Sequence, residues 1–113
     1  MYCTIKYINV ENELDFSKIE GFEWDEGNVN KNWLKHLISS KESEEVFVNK
    51  RVYYYDDKHS QIEKRFSVYG ITNNGRKLIV IFTIRKSRIR IISARDQNSK
   101  ERKKYEKEAK INS

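Results

Sequence analysis

From Phe22 onward the apolar positions fall into short periodic stretches separated by polar ones. Phe22-Glu23-Trp24 reads as a brief strand, and Asp25 can cap a following helix by accepting hydrogen bonds from its free amides. Val29, Trp33 and Leu37 recur every four residues with Leu34 and Ile38 alongside, which predicts a helix with one apolar, core-facing side. Ser39 followed by Glu42 is a capping-box pattern, so a second helix is expected from there to about Val48, burying Val46 and Phe47 and forming a hairpin with the first. Upstream, Tyr2 to Val10 alternates weakly and suggests a short strand before the polar stretch Glu11 to Glu20.

After Asn49 the period changes from helical to extended. Arg51 to Asp57 is rich in aromatic and β-branched residues, and Arg65 to Gly70 sets Phe66 and Val68 against Arg65, Ser67 and Tyr69. Thr72-Asn73-Asn74-Gly75 supplies the residue types that tolerate positive φ in a tight hairpin. Leu78 to Ile84 is apolar on both parities except for Thr83, as expected of a central strand covered on both faces. Arg88 to Arg95 places Arg88 and Arg90 on one parity and Ile89 and Ile91 on the other. Asn98 with Glu101 is a second capping-box pattern, opening a charged helix to about Lys110 whose apolar stripe is Tyr105 and Ala109. The order strand, helix, helix, four strands, helix predicts an α+β fold, with the helix hairpin packed on a mainly antiparallel sheet of four to five strands and a C-terminal helix.

Composition narrows the function classes. With 113 residues, the chain is expected to form one domain over 1–113, residues 1–20 being an extension of undefined structure. Charged residues make up 35%, but hydrophobic residues reach 37% and are interleaved with the charges, which argues against wholesale disorder. Cys3 is the only cysteine, so neither a disulfide framework nor a cysteine-based zinc cluster is available. The longest apolar run, Leu78 to Ile84, is far short of a membrane span, and the N-terminus lacks a signal-peptide pattern. A soluble cytoplasmic protein without membrane contact is expected. The formal net charge of +6 favours a polyanionic partner without identifying it.

The four glycines are scattered, so no phosphate loop forms, and neither histidine has a spaced His or Cys partner; no metal and no cofactor are expected. Basic and aromatic surface remains. Arg65, Arg76, Arg88, Arg90 and Arg95 all lie on or beside strands, and guanidinium forks suit phosphate geometry. Cleaving RNA without metal requires a group to take the 2′-hydroxyl proton, cations for charge growing on the phosphorane, and a donor for the leaving 5′-oxygen. The arginines, His36, Glu63 and Tyr105 can divide those tasks. Structural readings stand beside each: Glu63 as a salt-bridge partner of Arg65, His36 as a packing residue, Tyr105 as a helix-docking aromatic, and Lys100 to Lys107 as a solvated helix face.

Phe22-Glu23-Trp24-Asp25, Lys35-His36, Asp57 with His59-Ser60, Arg65-Phe66 ending at Gly70, Arg88-Ile89-Arg90-Ile91-Ile92-Ser93-Ala94-Arg95, and Glu101 with Tyr105 agree in order and spacing with the BrnT family across residues 22 to 109. The resemblance implies a RelE-like fold and a bacterial type II ribonuclease toxin. It also implies neutralisation by a BrnA-like antitoxin that carries the DNA-binding domain, so that operator DNA is reached only through the antitoxin. Carried onto matching positions, the catalytic residues it implies are Arg65, Arg95 and Tyr105. The chain departs from the family pattern at Leu37, where a glycine usually follows the Lys-His pair, and at Asp96, where a second basic residue commonly follows Ser-Ala-Arg.

Together these readings predict metal-independent RNA cleavage that inhibits translation. Arg65, Arg95, His36, Glu63 and Tyr105 are the catalytic candidates, and Lys35, Arg76, Arg88 and Arg90 the RNA contacts. The rival expectation is a weak or inactive homologue that binds RNA or antitoxin, with Asp96 neutralising Arg95.

Overall fold

The computed structural model describes residues 16–56 and 63–111; the expected strand at Tyr2 to Val10, Asp57 and the His59-Ser60 pair lie outside the described residues. A 3-10 turn (Phe16–Lys18) leads into β1 (Gly21–Glu23), α1 (Glu26–His36), α2 (Ser40–Glu45), β2 (Arg51–Tyr55), β3 (Phe66–Ile71), β4 (Lys77–Arg85), β5 (Arg88–Asp96) and α3 (Ser99–Ile111). The five strands form one sheet in the order β1-β5-β4-β3-β2. β2 to β5 run as an antiparallel meander, while β1 joins β5 in parallel, so the sheet is mixed.

The local signals act as their chemistry dictates. Asp25 accepts from the amides of Gly27 and Asn28 at 2.8 and 3.3 Å, and Ser39 and Glu42 close a reciprocal capping box. In the β3–β4 hairpin Gly75 takes φ +88°, a conformation that needs no Cβ. α2 stops at Glu45, and residues 46–48 continue as a turn that buries Val46 and Phe47.

The sheet has two unlike faces. One carries Phe66, Val68, Leu78, Val80, Phe82, Ile89, Ile91 and Ala94 and packs with Ile38, Val46 and Phe47 from the helical segment. On the other, Val52 and Tyr54 pack with Tyr105 and Ala109 of α3. β4 lies between both layers, which is why its apolar run lacks alternation: Leu78, Ile79, Val80 and Phe82 are all buried.

α1 overturns most of the expectation drawn from its apolar stripe: Ile38 is buried and Val29 half-buried, but the other three residues are not. Trp33, Leu34 and Leu37 are 51%, 79% and 62% exposed, whereas Asn32 is buried. The helix instead turns Asn28 and Asn32 inward, because it lies along an edge of β5 that β1 leaves uncovered. β1 pairs only with Arg88, Ile89 and Arg90. Beyond that point Asn28 Nδ2 donates to the Ile91 carbonyl at 3.3 Å, and Asn32 Oδ1 accepts from the Ala94 amide at 3.2 Å. Unpaired backbone groups at a buried edge outweigh the gain from burying a leucine there. Leu37 ends α1 at φ 53°, in the left-handed region, with its amide donating to Trp33. A side chain costs about 1 kcal/mol or more in that conformation, which explains why glycine suits the position.

Candidate functional site

Arg88, Arg90 and Arg95 stand on one face of β5, although their numbering gives two parities. The ladder slips between Ile81 and Phe82, so that Phe82 pairs with Ile91 and Ile81 with Ser93. Ile92 is the extra residue of this bulge, and it reverses the alternation beyond it. Arg88, Arg90, Ser93 and Arg95 therefore share the face of Arg85, Thr83, Ile81 and Ile79 on β4, opposite the helix-covered core. α3 packs on the β2–β3 side of this face through Val52, Tyr54, Tyr69 and Ile71, and meets β4 and β5 through the ion pairs Lys77–Glu106 and Arg95–Glu101. Arg88 and Arg95 are about six strand steps apart, roughly 20 Å, so they suit successive phosphates along a chain rather than one phosphate.

Acidic partners hold several of these cations. Arg95 Nη1 and Nη2 each lie 2.8 Å from a Glu101 carboxylate oxygen. The same carboxylate accepts from the Asn98 amide at 2.9 Å, while the Glu101 amide donates to Asn98 Oδ1, closing the capping box of α3. The Arg95 hydrogen bonds lower the pKa of Glu101, and Glu101 in turn raises that of Arg95. Arg90 bonds Glu23 at 2.7 Å and Asp25 at 3.3 Å. Glu63 pairs with Arg85 at 3.1 Å, not with Arg65 as the sequence suggested. Arg65 sits half-buried just before β3, its carbonyl accepting the Asp56 amide.

Asp96 does not neutralise Arg95 through its side chain; only its backbone carbonyl meets that guanidinium, at 3.3 Å. Its carboxylate points to the other face, opposite Leu78, and belongs to Arg76, with Nε to Oδ1 at 2.7 Å and Nη2 to Oδ2 at 3.0 Å. Arg76 also donates to the carbonyls of His36 and Leu37 at 2.7 and 2.8 Å and lies 3.5 Å from Glu42. It thus ties the ends of α1 and β5 together, and the structure gives it this bracing role rather than a place beside Arg95. The hydrogen bond from Arg76 holds the Asp96 carboxyl below its ordinary range.

His36 is half-buried at the end of α1, on the Arg76 side of the sheet, and Lys35 beside it is exposed. Tyr105 is 4% exposed, its hydroxyl donating to the Lys50 carbonyl at 2.6 Å, and burial raises its pKa. The geometry brings Arg88, Arg90 and Arg95 together on β5, with Glu63 beside the Arg85–Arg88 end. His36, Arg76 and Tyr105 are placed elsewhere. Sequence reasoning overlooked Glu101 as the partner of Arg95 and Glu23 as that of Arg90. The capping box already marked Glu101 as a residue turned toward the β5–α3 junction, and that signal was available. Among the described residues no group of three His, Cys, Asp or Glu side chains is placed to hold a metal, and no helix is long and apolar enough to cross a membrane.

A family model described as the ribonuclease toxin BrnT of type II toxin–antitoxin systems matches residues 24–101, well over half of the chain. The chain belongs to the BrnT family. The BrnT match runs from Trp24 through the first turn of α3 and includes every candidate residue except Tyr105, which lies beyond it. Among solved structures, the 1.1 Å crystal structure of the Brucella abortus ribonuclease toxin BrnT is similar, with a TM-score of 0.54 and 22% identity over 70% of this chain and 97% of that one. At this identity the likeness speaks for a shared BrnT fold. No curated protein matches the chain.

Proposed function

We propose that the chain is a metal-independent endoribonuclease toxin that inhibits translation in the cytoplasm and is neutralised by a BrnA-like antitoxin, with operator DNA bound only through that antitoxin. The observation that carries this reading is the bulge in β5, which aligns Arg88, Arg90 and Arg95 on one face of a family ribonuclease scaffold. RNA runs along β5, with Arg88 and Arg90 binding its phosphates, while Lys35 stands apart on the last turn of α1. Arg95 stabilises charge on the phosphorane at the cleavage point, and Arg65 assists from the start of β3. Glu63 is better placed than His36 for proton transfer, since its ion pair with Arg85 lies on the arginine face. Tyr105 anchors α3 and Arg76 braces α1.

A specific observation favours the rival reading of a weak or inactive homologue: Arg95 and Arg90 both enter ion pairs with nearby acids. Substrate must displace the Glu101, Glu23 and Asp25 carboxylates, all of which sit within reach of solvent.

Cleavage of an end-labelled RNA in excess chelator distinguishes the two. Wild type is expected to cut, leaving 5′-hydroxyl ends, and Arg95→Ala to lose about 2 kcal/mol or more of transition-state stabilisation, some 30-fold or more in rate. Arg65→Ala should fall similarly. Equal cleavage by wild type and Arg95→Ala removes Arg95 from the mechanism; binding without cleavage by any form supports the rival.

A further inference from the structure

The outward side of α1 is apolar where a free surface helix is normally polar. Trp33, Leu34 and Leu37 lie within about 100° of one another around the helix axis and are all exposed. Lys31 and Lys35, also exposed, border this patch beyond Leu34. Neither the fold nor the RNA face uses it, since α1 meets the sheet through Asn28 and Asn32 on the opposite side. Leu37 sharpens the point. It occupies a left-handed position that strains any side chain, and its exposure returns little burial in compensation. A large apolar residue kept there serves something other than the free chain's stability.

We propose that this face is where the antitoxin docks, through an amphipathic helix presenting leucine-like residues to Trp33, Leu34 and Leu37 and acidic residues to Lys31 and Lys35. The inference rests on the toxin–antitoxin reading above and adds the surface and the chemistry of the partner. Charge favours this occupant: an acidic segment meets both the lysine border and a chain of net charge +6. Position favours it as well. α1 is bonded to the stretch of β5 between Arg90 and Arg95, so a segment leaving the patch across that edge reaches the arginine face.

The test uses the full chain and, as probe, its tagged BrnA-like antitoxin, the partner named in the proposed function. Titration compares wild type, Leu34→Glu and Leu37→Gly, with Leu34→Met as the conservative control, and RNA cleavage and light scattering are followed in parallel. Leu34→Glu is expected to weaken binding at least 100-fold and Leu37→Gly about 10-fold. Leu34→Met should bind like wild type, with all variants monomeric and cleaving RNA at the wild-type rate. Unchanged binding by Leu34→Glu overturns the proposal while leaving the toxin–antitoxin reading intact. A probe that fails to bind wild type overturns both the proposal and the antitoxin part of that reading, whereas the cleavage assay still reports on the nuclease. A dimer of the free chain that Leu34→Glu dissolves assigns the face to a second copy and also overturns the proposal.

Discussion

Replacing Gly70 by alanine places a methyl carbon 2.7 Å from Val46 Cβ and 3.0 Å from the Val46 carbonyl oxygen. Ordinary carbon contacts lie at about 3.5–4.0 Å, so roughly 1 Å must be opened between two backbones. Neither yields readily. Gly70 pairs with both Arg51 and Leu78 inside the sheet, and Val46 is fully buried at the end of α2. Overpacking of this kind costs about 1–3 kcal/mol, against about 0.4–1 kcal/mol regained by restricting the unfolded chain. The net expectation is a loss of about 1–2 kcal/mol. With a urea slope of roughly 1–3 kcal/mol per molar, the unfolding midpoint should fall by roughly 1 M at unchanged slope. Val46→Gly removes the nearest colliding atom, the Val46 Cβ, so adding Gly70→Ala to it should cost less than in wild type, with a coupling of at least about 0.5 kcal/mol. A Gly70→Ala midpoint at or above wild type refutes the steric reasoning.

Tyr105→Phe removes the hydroxyl bonded to the Lys50 carbonyl and should cost about 1 kcal/mol of stability while cleavage remains within about two-fold of wild type, measured by thermal unfolding and RNA cleavage together. The folded-state pKa values of Asp96 and Glu101 are depressed, by Arg76 and Arg95 respectively, so their stabilisation is full above the ordinary carboxylate range and fades as pH falls through the folded values. Urea midpoints measured from pH 6 down to pH 3 should therefore decline less steeply for Asp96→Asn and Glu101→Gln than for wild type. Deleting Ile92 returns β5 to regular alternation with every remaining side chain on its present face, so this variant should keep its far-ultraviolet circular dichroism and a cooperative melt. Deleting Val80 from β4 removes a buried core residue and reverses one half of a strand that has no such slack, and it should abolish the cooperative melt.

The strands and caps were legible because local chemistry specifies them: the Asn-Gly hairpin, the unbroken apolar run of β4, and the two carboxylates that close capping boxes. α1 was misread for an equally local reason. Periodicity counts apolar residues, and here the buried side is chosen by amide side chains answering unpaired backbone groups at a sheet edge, a demand created only by the shortness of β1. The convergence of the β5 arginines was only half visible. Arg88 and Arg90 share a parity in the sequence, but Arg95 joins them through a bulge that two adjacent isoleucines do not announce. The partners of Arg95 and Asp96 followed from the same shift, since each side chain's face decides which ions it can meet. At Leu37 the departure from glycine was plain in the sequence, while its left-handed backbone and exposure were not.

The asparagine contacts along β5 also determine how this molecule can be approached. A sheet edge with free amides and carbonyls invites a foreign strand to extend it, in function or in aggregation. Here β1 pairs with the first residues of β5, and Asn28 and Asn32 bond backbone groups further along. The strand bearing the arginines is thereby closed to an incoming ribbon along that edge. A protein that covers these arginines therefore meets their side chains from the open face of the sheet rather than by adding a strand beside β5.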